Sequence, residues 1–192
     1  MTTRNYLKIL LPLVALIGLN GCLSTTSNYY VLSVASQPLV VYPNAHKVIG
    51  VEKVTVPGYL YKRDIAVARS SSQITLLSNA LWGEDLDGGL TNRLIGFLQK
   101  KFNQPDVYAY PWGIDKQPHI KVSVQISRFI AQGDIVYLDA TWSLENLKTK
   151  KRKARLFHTS VATSTDVESI VSAMDKAFIE FEETIAMGVK SF

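Results

Sequence analysis

The chain has few of the residues that most enzyme chemistry needs. Cys22 is the only cysteine among 192 residues. The body after it can therefore form no internal disulfide, even in an oxidising compartment. Histidine is equally scarce: His46, His119 and His158 are the full set. None has a Cys, His or Glu partner at metal-ligand spacing. No Gly-x-Ser-x-Gly elbow is present, and Gly88-Gly89 lacks the lysine and the spacing of a phosphate loop. Asp85 with Asp87, and Asp134 with Asp139, read as helix-start and turn acids rather than catalytic pairs. No apolar run is long enough to cross a bilayer. The expectation is a protein that is not an enzyme and has no cofactor and no metal.

The N-terminus is where the information lies. Arg4 and Lys8 precede an apolar run, Ile9 to Leu19, broken only by Pro12 and Gly18. A charged head followed by a short apolar stretch is the layout of a secretory signal. It ends at Leu19-Asn20-Gly21-Cys22, which resembles the lipobox of bacterial lipoproteins, with Asn20 where Ala, Ser or Thr is more usual. The resemblance implies cleavage before Cys22 and acylation of its thiol and new amine. Each buried CH₂ adds about 0.8 kcal/mol, so two or three acyl chains anchor stably where one does not. Leu23 and Ser24 follow the cysteine. In enterobacterial lipoproteins an Asp there favours the inner membrane, so this pair points to the outer one.

Removal of residues 1–21 leaves 171, enough for one domain with a sizeable core. Arg4 and Lys8 leave with the signal, so 19 Lys and Arg face 16 Asp and Glu, a net of +3. That is too mild for a nucleic-acid partner. The expected organisation is a signal peptide over 1–21, a lipidated polar tether over 22–28, and a soluble domain over 29–192.

Along that domain, Tyr29 to Val34 suits a strand, and Gln37 to Asn44 reads as a loop. Lys47 to Val56 alternates with apolar residues on both faces, as in a strand covered on both sides. Asp64 to Arg69 and Gln73 to Ser78 form a hairpin. Glu84 to Phe102 carries a helical stripe of Leu86, Leu90, Leu94, Phe97 and Leu98. Gly88-Gly89 weakens its start, so it begins near Leu90, or else the glycines admit a close neighbour. Val107 to Tyr110 is a short strand. Ile120 to Ser127, Val136 to Glu145 and Ala154 to Val161 alternate in turn, an antiparallel meander. Thr165 caps a last helix to Met187, with Glu168 at capping-box spacing. The expected fold is α+β: one domain, a mixed and mostly antiparallel sheet, and two amphipathic helices packed on it.

Two groups of residues are left over. Lys148, Lys150, Lys151, Arg152, Lys153 and Arg155 crowd one hairpin tip. A solvated turn explains them; so does contact with anionic headgroups or an acidic partner. Tyr59, Tyr61, Trp82 and Trp112 sit at element ends. They cap the core, or, if exposed together, anchor an interface.

The landmarks fall in a familiar order. Tyr29-Tyr30-Val31-Leu32 follows the lipobox cysteine, then Ile49-Gly50-Val51-Glu52-Lys53-Val54 and Val56-Pro57-Gly58-Tyr59-Leu60 with Arg63. Trp82-Gly83-Glu84-Asp85-Leu86 then opens a helix, and Val107 to Trp112 follows. This series resembles the PqiC/YmbA-type ABC-transport auxiliary lipoproteins over nearly the whole mature chain. Tyr61-Lys62-Arg63 stands where that family has Leu-Asp-Arg. The resemblance implies a non-enzymatic envelope protein, lipid-anchored through Cys22 and facing the periplasm. Its implied partners are an MCE-domain protein, which forms a lipid conduit, and that protein's membrane permease; the oligomeric state, including a homo-oligomer, stays open. A periplasmic lipid-binding carrier is the alternative and would need an apolar cavity. A periplasmic hydrolase would need His158 or His119 beside a serine and an aspartate.

Overall fold

A computed structural model describes residues 26–32, 37–42, 47–111, 113 and 117–192. The signal peptide, Cys22, His46 and Trp112 lie outside the described residues. In chain order the strands are β1 (Asn28–Tyr30), β2 (Ile49–Glu52), β3 (Asp64–Ala68), β4 (Ile74–Trp82), β5 (Val107–Tyr110), β6 (Ile120–Gln132), β7 (Ile135–Asn146) and β8 (Arg152–Ala162). The helices are α1 (Leu86–Phe102) and α2 (Val167–Lys190), with a 3-10 turn at Gly58–Tyr61.

The long strand β6 organises the sheet. On one side it pairs antiparallel with β7, from Ile120↔Asn146 to Gln132↔Ile135, and β7 pairs antiparallel with β8. Its other side is shared. The first half takes β2 in parallel, and β2 carries β5. The last residues take β3 in parallel, and β3 carries β4 and then β1. The sheet is open and mixed, and both helices pack on it: the expected α+β fold in a single domain.

The alternating strands appear where the sequence places them, with informative differences at their ends. β6 continues past Ser127 because a bulge between Ile126 and Arg128 resets the alternation. One extra residue flips the pattern, so the period-2 signal stops there while the strand goes on. Lys47 to Val56 yields only the four residues of β2, with an isolated bridge from Thr55 to Gln125. Ile49, Gly50 and Val51 are all buried, as expected of a strand covered on both sides. The first strand stops at Tyr30. The hairpin's second strand instead runs on to Trp82, whose N–H donates to Arg63 O at 2.6 Å.

Helix α1 begins at Leu86, not Leu90. Gly88 and Gly89 are helical, and Gly89 makes room for a neighbour: a Cβ there would lie 2.7 Å from Glu84 Oε1. Helix α2 buries the stripe Ile170, Met174, Phe178, Phe181 and Ile185. Phe181 lies 4.8 Å from Phe157 and Phe178 lies 6.3 Å from Phe129, centroid to centroid. Burial of each such side chain is worth about 1.5–3 kcal/mol.

The cap of α2 differs by one residue from the expected Thr165. Asp166 accepts from Ser169 N at 2.8 Å, and Ser164 Oγ donates to its other oxygen at 2.5 Å. Glu168 turns away and accepts from Tyr30 Oη at 2.9 Å. The Ser164 hydroxyl, followed by the Ser169 amide, holds the Asp166 carboxyl down to about 2. Its folded pKa is depressed. Its stabilisation is therefore complete above the ordinary value near ~3.9 and is lost as pH falls through about 2. Asp166→Ala should thus flatten the fall of the urea midpoint between pH 4 and 2; an unchanged slope would remove this cap from the acid response.

Candidate functional site

Catalytic constellations fare poorly in three dimensions. His119 Nδ1 accepts from Val48 N at 2.9 Å, which pins the start of β6 to the segment before β2. His158 Nδ1 contacts Asp139 Oδ1 across β7 and β8, and both side chains face outward on the sheet. The nearby Ser127 hydroxyl donates to the Asp139 main-chain carbonyl at 3.2 Å, so it is bound to the backbone rather than to the imidazole. Among the described residues, no three of His, Cys, Asp and Glu gather as metal ligands.

Clefts open at several places on the surface. One of about 220 Å³ lies at the start of α1 between Lys53, Tyr61, Arg63, Asp85 and Asp87. Asp87 is buried there and meets Lys53 Nζ at 2.6 Å. That hydrogen bond raises the lysine's pKa. Arg63 Nη2 donates to the carbonyls of Trp82 and Gly83 at 3.1 and 2.9 Å. Thr91 Oγ1 accepts from Val54 N at 2.9 Å. This corner is a brace that ties β2, the 3-10 turn and α1 together. A more apolar cleft, about 390 Å³, opens between Tyr59, Ala68, Ile74 and Ile130. Tyr59 is half-buried and its hydroxyl accepts from Phe129 N at 3.1 Å; burial raises its pKa.

Of the four aromatic candidates, Trp82 is 2% exposed and belongs to the core. Tyr59 is a bridge to the β6 bulge, and Tyr61 stands exposed beside the α1 corner.

The basic tip is partly knitted into the fold. Arg152 and Lys153 lie in β8, not in the turn. Arg152 Nε is 4.0 Å from Glu145. Lys153 Nζ donates to Ser191 Oγ at 2.9 Å, and Lys151 Nζ lies 5.3 Å from the Phe192 ring centroid. Lys148 and Lys150 are exposed, and Lys150 adopts φ 60° in the turn. The tip thus sits against the C-terminal end of α2. Lys190 of that helix lies 4.0 Å from the Tyr42 ring centroid. Tyr42 N donates to Lys101 O at 2.6 Å, and Lys101 Nζ reaches Glu183 at 2.5 Å. No signal in the sequence marks this gathering, because its members come from four separate stretches of the chain.

Helix α2 and α1 are joined by a second hidden group. Buried Arg93 meets Glu182, with Nε 3.2 Å from Oε1, and Asp175. Its geometry is that of an interhelical clamp. No spacing in the sequence marks it, since its partners lie more than twenty turns of helix away along the chain.

Comparison with known proteins decides the family. The profile of the ABC-type transport auxiliary lipoprotein component matches residues 30–186. The chain belongs to this family. The auxiliary lipoprotein is also similar to the intermembrane transport lipoprotein PqiC of Escherichia coli strain K12, at 26% identity over 96% of this chain and 98% of that protein. The Shigella flexneri PqiC matches with the same identity and coverage. Two crystal structures share the fold. An uncharacterised protein superposes with TM-score 0.69 at 24% identity, covering 85% of this chain and 99% of its own. A Xanthomonas campestris protein superposes with TM-score 0.70 at 14% identity, covering 83% and 93%. The auxiliary lipoprotein family is a transport family and not a known enzyme family.

Proposed function

We propose that this auxiliary lipoprotein is an outer-membrane-anchored, periplasm-facing accessory subunit of an MCE/ABC-type lipid transport system. It docks the transenvelope conduit, an MCE-domain protein with its membrane permease, and so supports envelope integrity. Residues 1–21 direct export, acylated Cys22 inserts in the bilayer, residues 22–28 form the tether, and residues 29–192 are the working body. The observation that carries this reading is the lipobox cysteine a few residues ahead of a body that matches the transport family from residue 30 onward. No helix of the described residues is long and apolar enough to cross a membrane, so an acyl anchor supplies what the body's helices do not.

The test is Cys22→Ser in cells, beside globomycin treatment of the unaltered chain. Both should accumulate the full-length precursor. After alkaline washing, the processed and acylated form should be recovered from membranes only in the untreated, unaltered chain. Normal maturation and partitioning of Cys22→Ser would overturn the anchor. Purification of the mature chain from membranes should also bring down an MCE-type protein, and its consistent absence would overturn the docking role.

A further inference from the structure

The strand registers give the body two ends. At one lie Ile120, the turn after Asn146, and Phe192; at the other lie Gln132, Ala162 and the start of α2. The 24 residues of α2, at about 1.5 Å each, separate them by about 36 Å. Strand β1 enters at the α2 N-terminal end. Asn28 pairs with Ala80, and Tyr30 Oη donates to Glu168 Oε1 at 2.9 Å. Six residues lead from Cys22 to Asn28, and a chain of that length reaches about 21 Å at most. An acyl anchor at Cys22 therefore holds the body by this end, on a leash shorter than the body.

The opposite end carries an unusual surface. Leu39, Val40 and Val41 are consecutive and 89%, 57% and 47% exposed. They are displayed rather than loose: Leu39 N donates to Glu183 Oε1 at 3.3 Å, and Tyr42 is held by Lys101 and Lys190. Cations rim them. Lys190 lies over Tyr42, Lys151 over Phe192, and Lys148 and Lys150 stand in the adjoining turn. Aliphatic residues within a charged rim are the anatomy of a protein interface, and also of a membrane-surface contact. The leash favours the first. The aliphatic end lies about one α2 length, about 36 Å, from the end the leash holds, so it faces away from the bilayer when the body stands upright on its anchor.

We propose that the Leu39-Val40-Val41 end, rimmed by Lys148, Lys150, Lys151 and Lys190, docks a protein partner that offers an apolar patch within an acidic rim. The proposal rests on the anchored role given above. The apolar centre supplies affinity, and the cations supply encounter rate and orientation.

The lipidated full chain is placed in vesicles of phosphatidylethanolamine and phosphatidylglycerol containing nitroxide lipid, with a fluorophore on Lys150→Cys or on Thr26→Cys. Quenching is expected at position 26 and not at 150. In growing cells, a benzoylphenylalanine photocrosslinker at position 39 should give a discrete protein adduct. Its yield should fall at least tenfold, with membrane recovery unchanged, in Lys148→Glu/Lys150→Glu/Lys151→Glu. It should hold in Lys176→Glu, at the anchored end. Equal quenching at 150 and 26 in a membrane-bound chain overturns this inference alone, in favour of headgroup contact. So does an adduct at 39 that is only lipid or that ignores the charge reversal. A chain recovered as soluble removes the anchor, and with it both readings.

Discussion

Glu182→Gln should destabilise the body by about 3 kcal/mol, with a fall in Tm on the order of 10 °C. The side chain is fully buried, and its two oxygens take three contacts from Arg93, between 3.2 and 3.4 Å. Arg93 is itself buried at the α1–α2 contact and its ring of neighbours includes Phe178, 5.3 Å from the guanidinium carbon. The amide keeps the shape of the carboxylate and removes its charge. A guanidinium cannot shed its proton in response, so Arg93 is left out of water with Asp175 as its remaining acidic partner in the clamp. The companion variant separates charge from shape. Arg93→Met/Asp175→Asn/Glu182→Leu takes away all three charges of the clamp and should be near neutral or more stable than the parent. Urea titration of the three proteins reads the difference. Equal losses in the single and triple variants would mean that packing, not the lost charge of Glu182, sets the cost.

Gly188→Ala should be nearly as damaging for one added methyl group. A Cβ at this position would come within 2.6 Å of Trp142 Cζ3 and closer still to Cη2. Trp142 is buried in β7, under the last turns of α2. Neither the indole nor the helix backbone can yield without breaking packing elsewhere, so a loss of about 1–3 kcal/mol or more is expected. Trp142→Leu in the same chain makes room. The pair should then cost less than the sum of the two single changes, the mark of direct contact. Additive losses would show that the two residues do not share the site.

These two positions also mark what the sequence could not reveal. Helix α2 was legible because Ile170, Met174, Phe178, Phe181 and Ile185 repeat on one face, whatever they meet. The meander was legible because β6, β7 and β8 each bury alternate residues. Arg93 and Glu182 look like ordinary polar positions on helices, since burial of a charge depends on a partner 89 residues away. Gly188 looks like a weak helix residue, and only the tryptophan across the interface explains it. β1 was legible from the aromatic and β-branched run that begins at Tyr29, but its parallel pairing with β4 is a long-range event. The cap moved from Thr165 to Asp166 because both precede the helix and the carboxylate is the stronger acceptor. At the candidate docking end, the lysines were visible as a run, whereas the meeting of Tyr42 with Lys101 and Lys190 follows from where α1 and α2 end.

The paired length of β6 and β7 bears on how the body answers force. A pull applied between Asn28 and the 148–151 turn would run close to parallel with these strands. The load would first cross the three-residue β1–β4 ladder and the short β3–β6 joint, and only then the long β6–β7 ladder, whose bonds share it in shear instead of opening one after another like a zipper. A body built this way yields at its short entry strand before its central sheet gives way.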